Sequence, residues 1–201
     1  MNRLRKGFTL VELLIVIGLL GAIALIVISA INPIEQSNRA RDTRFKADGG
    51  QLISAIDRYF ATKSEFPWMT VTPTLTTDQA FAFVSAATQG VGICGATCSA
   101  DGVLITNDEL KTEFRNRDFV KNNPTAVDKQ IMVGKAIGAS SSVYSCFVPL
   151  SKSVREKACA DGKVYSLGAN GTRTQIAAGD ASCAASSTTW TSGPQYVCIP
   201  E

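Results

Sequence analysis

Lys6-Gly7-Phe8-Thr9-Leu10-Val11-Glu12 opens into nineteen residues, Leu13 to Ile31, that carry no charge. Wound as a helix at about 1.5 Å per residue, those residues extend about 28 Å, close to the hydrocarbon thickness of a bilayer. The stretch is long enough to span. Arg3, Arg5 and Lys6 precede it with no acid among them, and by the positive-inside tendency that end stays cytoplasmic. Glu12 sits at the start of the apolar run, flanked by Leu10-Val11 and Leu13-Leu14. An ionised carboxylate costs about 2.5–3.5 kcal/mol at mid-membrane, so Glu12 needs either an outward route to the headgroups or a partner.

The whole string, a basic leader followed by G-F-T-L-V-E and an apolar helix, resembles the class III signal of type IV pilins and type II secretion pseudopilins at every position from Lys6 to Glu12. The resemblance implies that a prepilin peptidase cuts after Gly7 and N-methylates Phe8, so that the mature chain begins at Phe8. It implies that Glu12 pairs with the N-terminal amine of a neighbouring subunit during filament assembly. The physics is consistent with that role: each charge is expensive alone in hydrocarbon, and a head-to-head pair relieves both. A stacking error of one residue would leave both unpaired.

Further expectations follow from the resemblance. The fold is α+β and pilin-like, a long N-terminal helix packed on an antiparallel sheet of about four strands. The partners are copies of the same chain in a helical filament, the peptidase, an inner-membrane assembly platform with its ATPase, other minor pilins, and a host surface or DNA. Before assembly the chain is a single-pass cytoplasmic-membrane protein, and afterwards it belongs to an extracellular pilus, or fimbrium. The role is mechanical, in adhesion, twitching motility or competence, with a secretion pseudopilin as the alternative. Two readings lie outside this class: a bitopic binding protein, and a soluble secreted protein cut near Ile28-Ser29-Ala30 by an ordinary signal peptidase.

Composition narrows the field. The 201 residues carry 20 basic and 17 acidic side chains. Without the three leader cations the two signs balance at 17 each, so a general nucleic-acid-binding surface is not indicated. The chain has no histidine, the commonest general base and metal ligand. Its length suits one modest domain plus an anchor. We divide it into a leader (1–7), the membrane and assembly half of the helix (8–31), an amphipathic half (32–63) and a globular head (64–201).

Gly18 and Gly21 weaken the spanning helix or let neighbouring helices approach closely. Many pilins have a proline where this chain has Ser29; here Pro33 follows Asn32, which moves the expected kink. From 34 to 63 the pattern turns amphipathic. Phe45, Leu52, Ile53, Ile56, Tyr59 and Phe60 form one stripe, with charges over much of the rest. Arg41, Arg44, Asp48, Asp57 and Arg58 are expected to form a solvated face or to pair between subunits. Gly49-Gly50 is a weak point with no account from sequence. A helix running unbroken from 8 to 63 would extend about 84 Å. Ser64-Glu65-Phe66-Pro67-Trp68 ends it, and this aromatic-proline step, with K-A-D before Gly49, extends the resemblance to residue 68.

The head is read on its own terms. Thr70 to Thr77 is loop; Phe81, Phe83, Val84 and Ala87 suggest a short helix capped by Thr77 or Asp78, and a second helix is expected from Asp108 toward Val120 with Asn107 as its cap. Segments 130–137, 143–150, 163–167, 174–177 and 196–199 read as strands, with Asn170-Gly171 as a hairpin turn. Six cysteines, Cys94, Cys98, Cys146, Cys159, Cys183 and Cys198, all follow the span and allow fifteen pairings. Sequential pairing is the simplest expectation, and Cys183 to Cys198 would then close the C-terminal loop as a disulfide often does in type IV pilins. Cys94-x3-Cys98 could instead be half a zinc site, without a second half in the sequence. An even cysteine number in a translocated head favours disulfides. No catalytic set emerges: Ser151, Ser153 and the serines near Ser140 have no histidine to activate them, Gly90-Val91-Gly92 lacks the lysine of a phosphate loop, and Asp161 and Asp180 lack calcium-ligand spacing. No enzyme activity, cofactor or metal is expected.

Overall fold

The structure, a computed structural model, describes residues 7–30, 32–181, 183 and 186–200, without the side chains of 29, 30 and 187. Leader residues 1–6, with Arg3, Arg5 and Lys6, lie outside the described residues. The chain forms two compact units, Met1–Ser37 and Asn38–Glu201.

In the first unit, helix α1 (Leu10–Ala30) exposes every described side chain. Asn32 is non-helical, and its side-chain oxygen accepts a hydrogen bond from the Glu35 N–H at 3.2 Å while its carbonyl accepts from the Gln36 N–H. Asn32 is therefore the cap that starts helix α2 (Pro33–Lys63), with Pro33 in the first position, where its missing N–H leaves no bond unmade. The two helices divide the run expected from 8 to 63 at this point, because proline cannot donate back to the preceding turn.

In the second unit α2 packs on a four-stranded antiparallel sheet of β1 (Phe81–Ser85), β2 (Ile131–Lys135), β3 (Val143–Phe147) and β6 (Val197–Ile199), in the order β1-β2-β3-β6. Phe45, Leu52, Ile56 and Tyr59 of the predicted stripe are buried in one core with Ile131, Val133 and Phe147 of the sheet and with Val91, Ile93, Leu104 and Phe119 of the segment between β1 and β2. Phe45 meets the rings of Phe119 and Phe147 edge-on, at 5.7 and 5.9 Å between centroids. Alternation along β3 sends Ser145 and Phe147 inward, while Cys146 joins a second core with Val148, Val164, Trp190 and Tyr196. Helix α5 (Lys152–Ala160), the hairpin of β4 (Tyr165–Leu167) and β5 (Arg173–Gln175), and helix α6 (Ser187–Ser192) complete the unit. The hairpin turns through Asn170-Gly171 as expected. Gly171 has φ +67°, and a Cβ there would strike the Lys135 carbonyl, so glycine is required.

The structure accounts for Gly49-Gly50. Gly49 is buried, and a Cβ on it would lie 2.6 Å from Ser145 Oγ; Gly50 faces open space. The first glycine lets helix and sheet approach closely, and the second has only a propensity cost. Gly49→Val is expected to destabilise the head by about 2 kcal/mol through overpacking, whereas Gly50→Ala should stabilise it by up to about 1 kcal/mol. Urea unfolding of both variants checks the opposite signs.

Helix α2 stops at Ser64, which adopts φ +57° and donates its N–H to the Phe60 carbonyl. Pro67 then begins helix α3 (Pro67–Val71). The aromatic-proline step builds a column of stacked rings, Phe60 on Phe66, Phe66 on Trp68 and Trp68 on Phe81, with centroids 4.4, 4.5 and 4.4 Å apart.

Three expectations are corrected. Phe81 to Ser85 is strand, not helix: β1 carries an irregularity between Phe81 and Val84 that breaks the alternation, so its apolar residues mimic helical spacing. Asn107 does not cap a following helix but ends the one-turn helix α4 (Val103–Thr106), and Asp108 has φ +59°. The cysteines do not pair sequentially beyond the first pair. Cys94 bonds Cys98 as expected, but Cys146 bonds Cys198 and Cys159 bonds Cys183, in place of Cys146–Cys159 and Cys183–Cys198. The reason is strand order: β6 returns beside β3 with Cys198 directly opposite Cys146, leaving Cys159 of α5 for Cys183.

Candidate functional site

The residues singled out at the N-terminus form a continuous, exposed segment. Around Gly7 nothing lies within 4 Å of where a side chain would begin, and Phe8 is 81% exposed. Helix α1 starts two residues later, so a break after Gly7 would leave it whole. Its start is built by Thr9 and Glu12. Thr9 donates both its N–H, at 2.9 Å, and its hydroxyl, at 2.8 Å, to one carboxylate oxygen of Glu12; Glu12 returns its N–H to the Thr9 hydroxyl at 3.2 Å. This reciprocal capping box satisfies backbone donors that the first helical turn cannot use. Glu12 thus has a partner within its own chain.

Thr9 was not identified from sequence, although T-x-x-E ahead of an apolar run carries that meaning. Thr9→Val removes the hydroxyl and should cost about 1 kcal/mol at the helix start. Amide exchange in the first turn of α1, measured by NMR in bicelles, is then expected to speed up about fivefold.

Beyond this start, Leu10–Ile28 is the one helical segment among the described residues that is long and apolar enough to cross a membrane, and none of it is buried within the chain. Its apolar side chains face outward all round, as lipid or neighbouring helices would require and water would not.

The charged residues of α2 mostly find partners within the head. Arg41 pairs with Asp42 at 2.9 Å, Arg58 with Glu109 at 2.9 Å, Asp48 with Arg117 at 3.5 Å and Arg44 with Asp118 at 3.7 Å. Asp42 and Asp48 are buried, which corrects the expectation of a solvated face for Asp48. Asp42 accepts the N–H groups of Leu150 and Ser151, at 3.2 and 2.8 Å, while Arg41 donates to the Val148 carbonyl. Burial pushes the Asp48 carboxyl above the usual range, against the pull of Arg117. Buried Lys135 donates to the carbonyls of Thr77, Ala136 and Gly138, the last at 2.6 Å, and burial lowers its pKa from the ordinary value. Each of its ammonium protons has a partner, so this lysine fastens a loop. Cys94 and Cys98 are bonded to each other, which removes the thiolates of the zinc alternative. Among the described residues, no group of three or more cysteines, aspartates or glutamates is placed to hold a metal ion.

A capped apolar helix of spanning length behind an exposed glycine-phenylalanine junction, joined to a disulfide-bonded α+β head, fits a membrane-anchored protein of the exported pilin-like class. The chain carries the prokaryotic N-terminal methylation motif at residues 2–28, the class III signal peptide motif of type IV pilins. No curated protein and no solved structure matches it.

Proposed function

We propose that the chain is a structural subunit of a type IV pilus, held in the membrane as a prepilin, cut after Gly7, N-methylated on Phe8 and polymerised through α1. The observation that carries this reading is the methylation motif at residues 2–28, whose apolar part, Leu10–Ile28, is a helix of spanning length. The exposed junction at Gly7 and Phe8 suits access by a membrane-embedded prepilin peptidase, and the outward apolar surface of α1 suits transfer from lipid to a bundle of like helices. In the filament, Glu12 exchanges its bonds to Thr9 for the methylated amine of a neighbouring subunit. The assembly platform, its ATPase and minor pilins act on the chain before it reaches the exterior.

A pilus subunit is preferred to a secretion pseudopilin because the head is large and carries three disulfides, which suit a surface exposed to shear and proteases. Adhesion, motility and DNA uptake are the roles such a filament serves.

Mass spectrometry of the native protein tests the reading. A chain beginning at N-methyl-Phe8 is the expected result. An intact Met1 would favour a bitopic protein, and a start near Asn32 a secreted one. In parallel, Gly7→Leu should leave full-length precursor in the membrane fraction, and normal-sized mature protein in that variant would count against peptidase processing.

A further inference from the structure

A cleft of about 630 Å³ lies against the second core of the head. Phe83 of β1, Met132 of β2, Leu167 of β4 and Ile176 just past β5 give it apolar walls, and every described residue that lines it is uncharged. The phase of the β4–β5 ladder decides what its backbone offers. Ile176 donates its N–H to the Val164 carbonyl and Gly168 its N–H to the Thr172 carbonyl, both at 2.8 Å. Even-numbered residues of this segment therefore bond β5, and odd-numbered ones turn their N–H and C=O groups to the opposite side. Tyr165 uses both of its groups there on Tyr196, donating to its carbonyl and accepting from its N–H at 2.9 Å each. Leu167 is next on that side. An antiparallel continuation would set it opposite Pro194, which has no N–H to give, and the pairing ends at the single bridge between Tyr165 and Tyr196. Leu167 and Pro194 both line the cleft, and among the described residues no hydrogen bond reaches the Leu167 N–H or C=O on this side. Gln195 lines it too. It is 5% exposed, and its Oε1 has no hydrogen-bond partner among the described residues.

We propose that this cleft binds a short, extended, uncharged segment of another polypeptide, which adds as a strand beside the end of β4. An extended chain turns an N–H and a C=O to the same edge at every second residue, the pair of groups that Leu167 needs opposite it. The Gln195 amide turns about a terminal torsion with broad wells, so its oxygen accepts from a further N–H seated in the cleft. An apolar side chain of the segment settles against Phe83, Met132 and Ile176. Other occupants fit less well. A hydrocarbon chain leaves Leu167 and Gln195 unmet, and a charged ligand finds no counter-charge in the lining. The site lies wholly within the head, and it neither needs nor follows from assembly through α1.

NMR of the full-length, nitrogen-15-labelled chain in bicelles tests it, with a blocked pentapeptide of alternating threonine and valine as the probe. At millimolar peptide the Leu167 amide proton is expected to move downfield and to exchange about fivefold more slowly, the effect of one net hydrogen bond, and the Gln195 side-chain amide should shift with it. The same peptide N-methylated at every residue keeps its side chains but has no donors, and it should do neither. Gln195→Leu should weaken the unmodified peptide about fivefold. The comparison of the two peptides on the unaltered chain stands whether or not that variant folds. Equal effects of the two peptides, or no change at Leu167, would overturn the proposal. So would shifts at Leu167 and Gln195 with methyl glucoside and none with the peptide, which would give the cleft to a sugar. None of these outcomes bears on the pilus reading, which is decided at the mature N-terminus.

Discussion

Removing the Cys146–Cys198 disulfide by a double change to serine is expected to lower the stability of the head by about 4 kcal/mol. The bond closes a loop of 52 residues, and in the chain-entropy model a closure of that length removes about 4 kcal/mol of freedom from the unfolded chain. Its native-state role points the same way. Strand β6 has only three residues, sits at the sheet edge, and pairs with β3 alone within the sheet. Both cysteines are buried, so serine hydroxyls would enter an apolar core without assured partners. By contrast, Cys94–Cys98 spans four residues, and its removal should cost about 2 kcal/mol. Denaturant unfolding of the two double variants gives the comparison, and peptide mapping of the oxidised chain checks the connectivity. Equal losses, or a peptide joining Cys146 to Cys159, would contradict the strand order.

The elements visible in sequence share a property: their residues speak for themselves locally. The stripe from Phe45 to Tyr59 has helical period, and Asn170-Gly171 meets the demand of a tight turn for positive φ; both stand in the structure as expected. The motif from Lys6 to Glu12 is a contiguous string, so no fold is needed to read it. What was hidden depends on residues far apart. The partner of Cys146 is fixed by β6 returning beside β3, and spacing alone favours the nearer Cys159. Asp42 looks like one more surface charge until the N–H groups of Leu150 and Ser151, more than a hundred residues away, come to meet it. Lys135 ends an apolar strand, and only the loops folded over it supply the carbonyls that let it be buried. Gly49 reads as a defect until Ser145 occupies the space its side chain would need. Thr9 is different, because its pattern with Glu12 was local and legible. Glu12 is at once a charge at the start of an apolar run and the partner of Thr9 in a helix cap.

That double use shapes the prediction of largest effect. Glu12→Ala is expected to leave cleavage after Gly7 intact and to abolish filaments, read as mature-sized protein in the membrane fraction and none in sheared surface material. If the Phe8 amine of each incoming subunit meets Glu12 of a neighbour in an apolar bundle, deleting one member strands the other, which typically costs 3–5 kcal/mol. Per subunit, that loss corresponds to a factor of roughly a hundred to several thousand in the assembly equilibrium, enough to stop growth. Alanine also removes the hydrogen bonds from Thr9, however, so it cannot separate loss of charge from loss of the cap. Glu12→Gln can. Its side-chain oxygen still accepts from Thr9 while the charge is gone, and glutamine serves in capping boxes as glutamate does. If ion pairing drives assembly, Gln fails as Ala does, and Thr9→Val, which keeps the carboxylate and loses part of the cap, still assembles. If the cap is what matters, Gln assembles and Thr9→Val is impaired. The pairing account requires the first pattern, because a neutral amide in hydrocarbon has little need of a neighbour's amine.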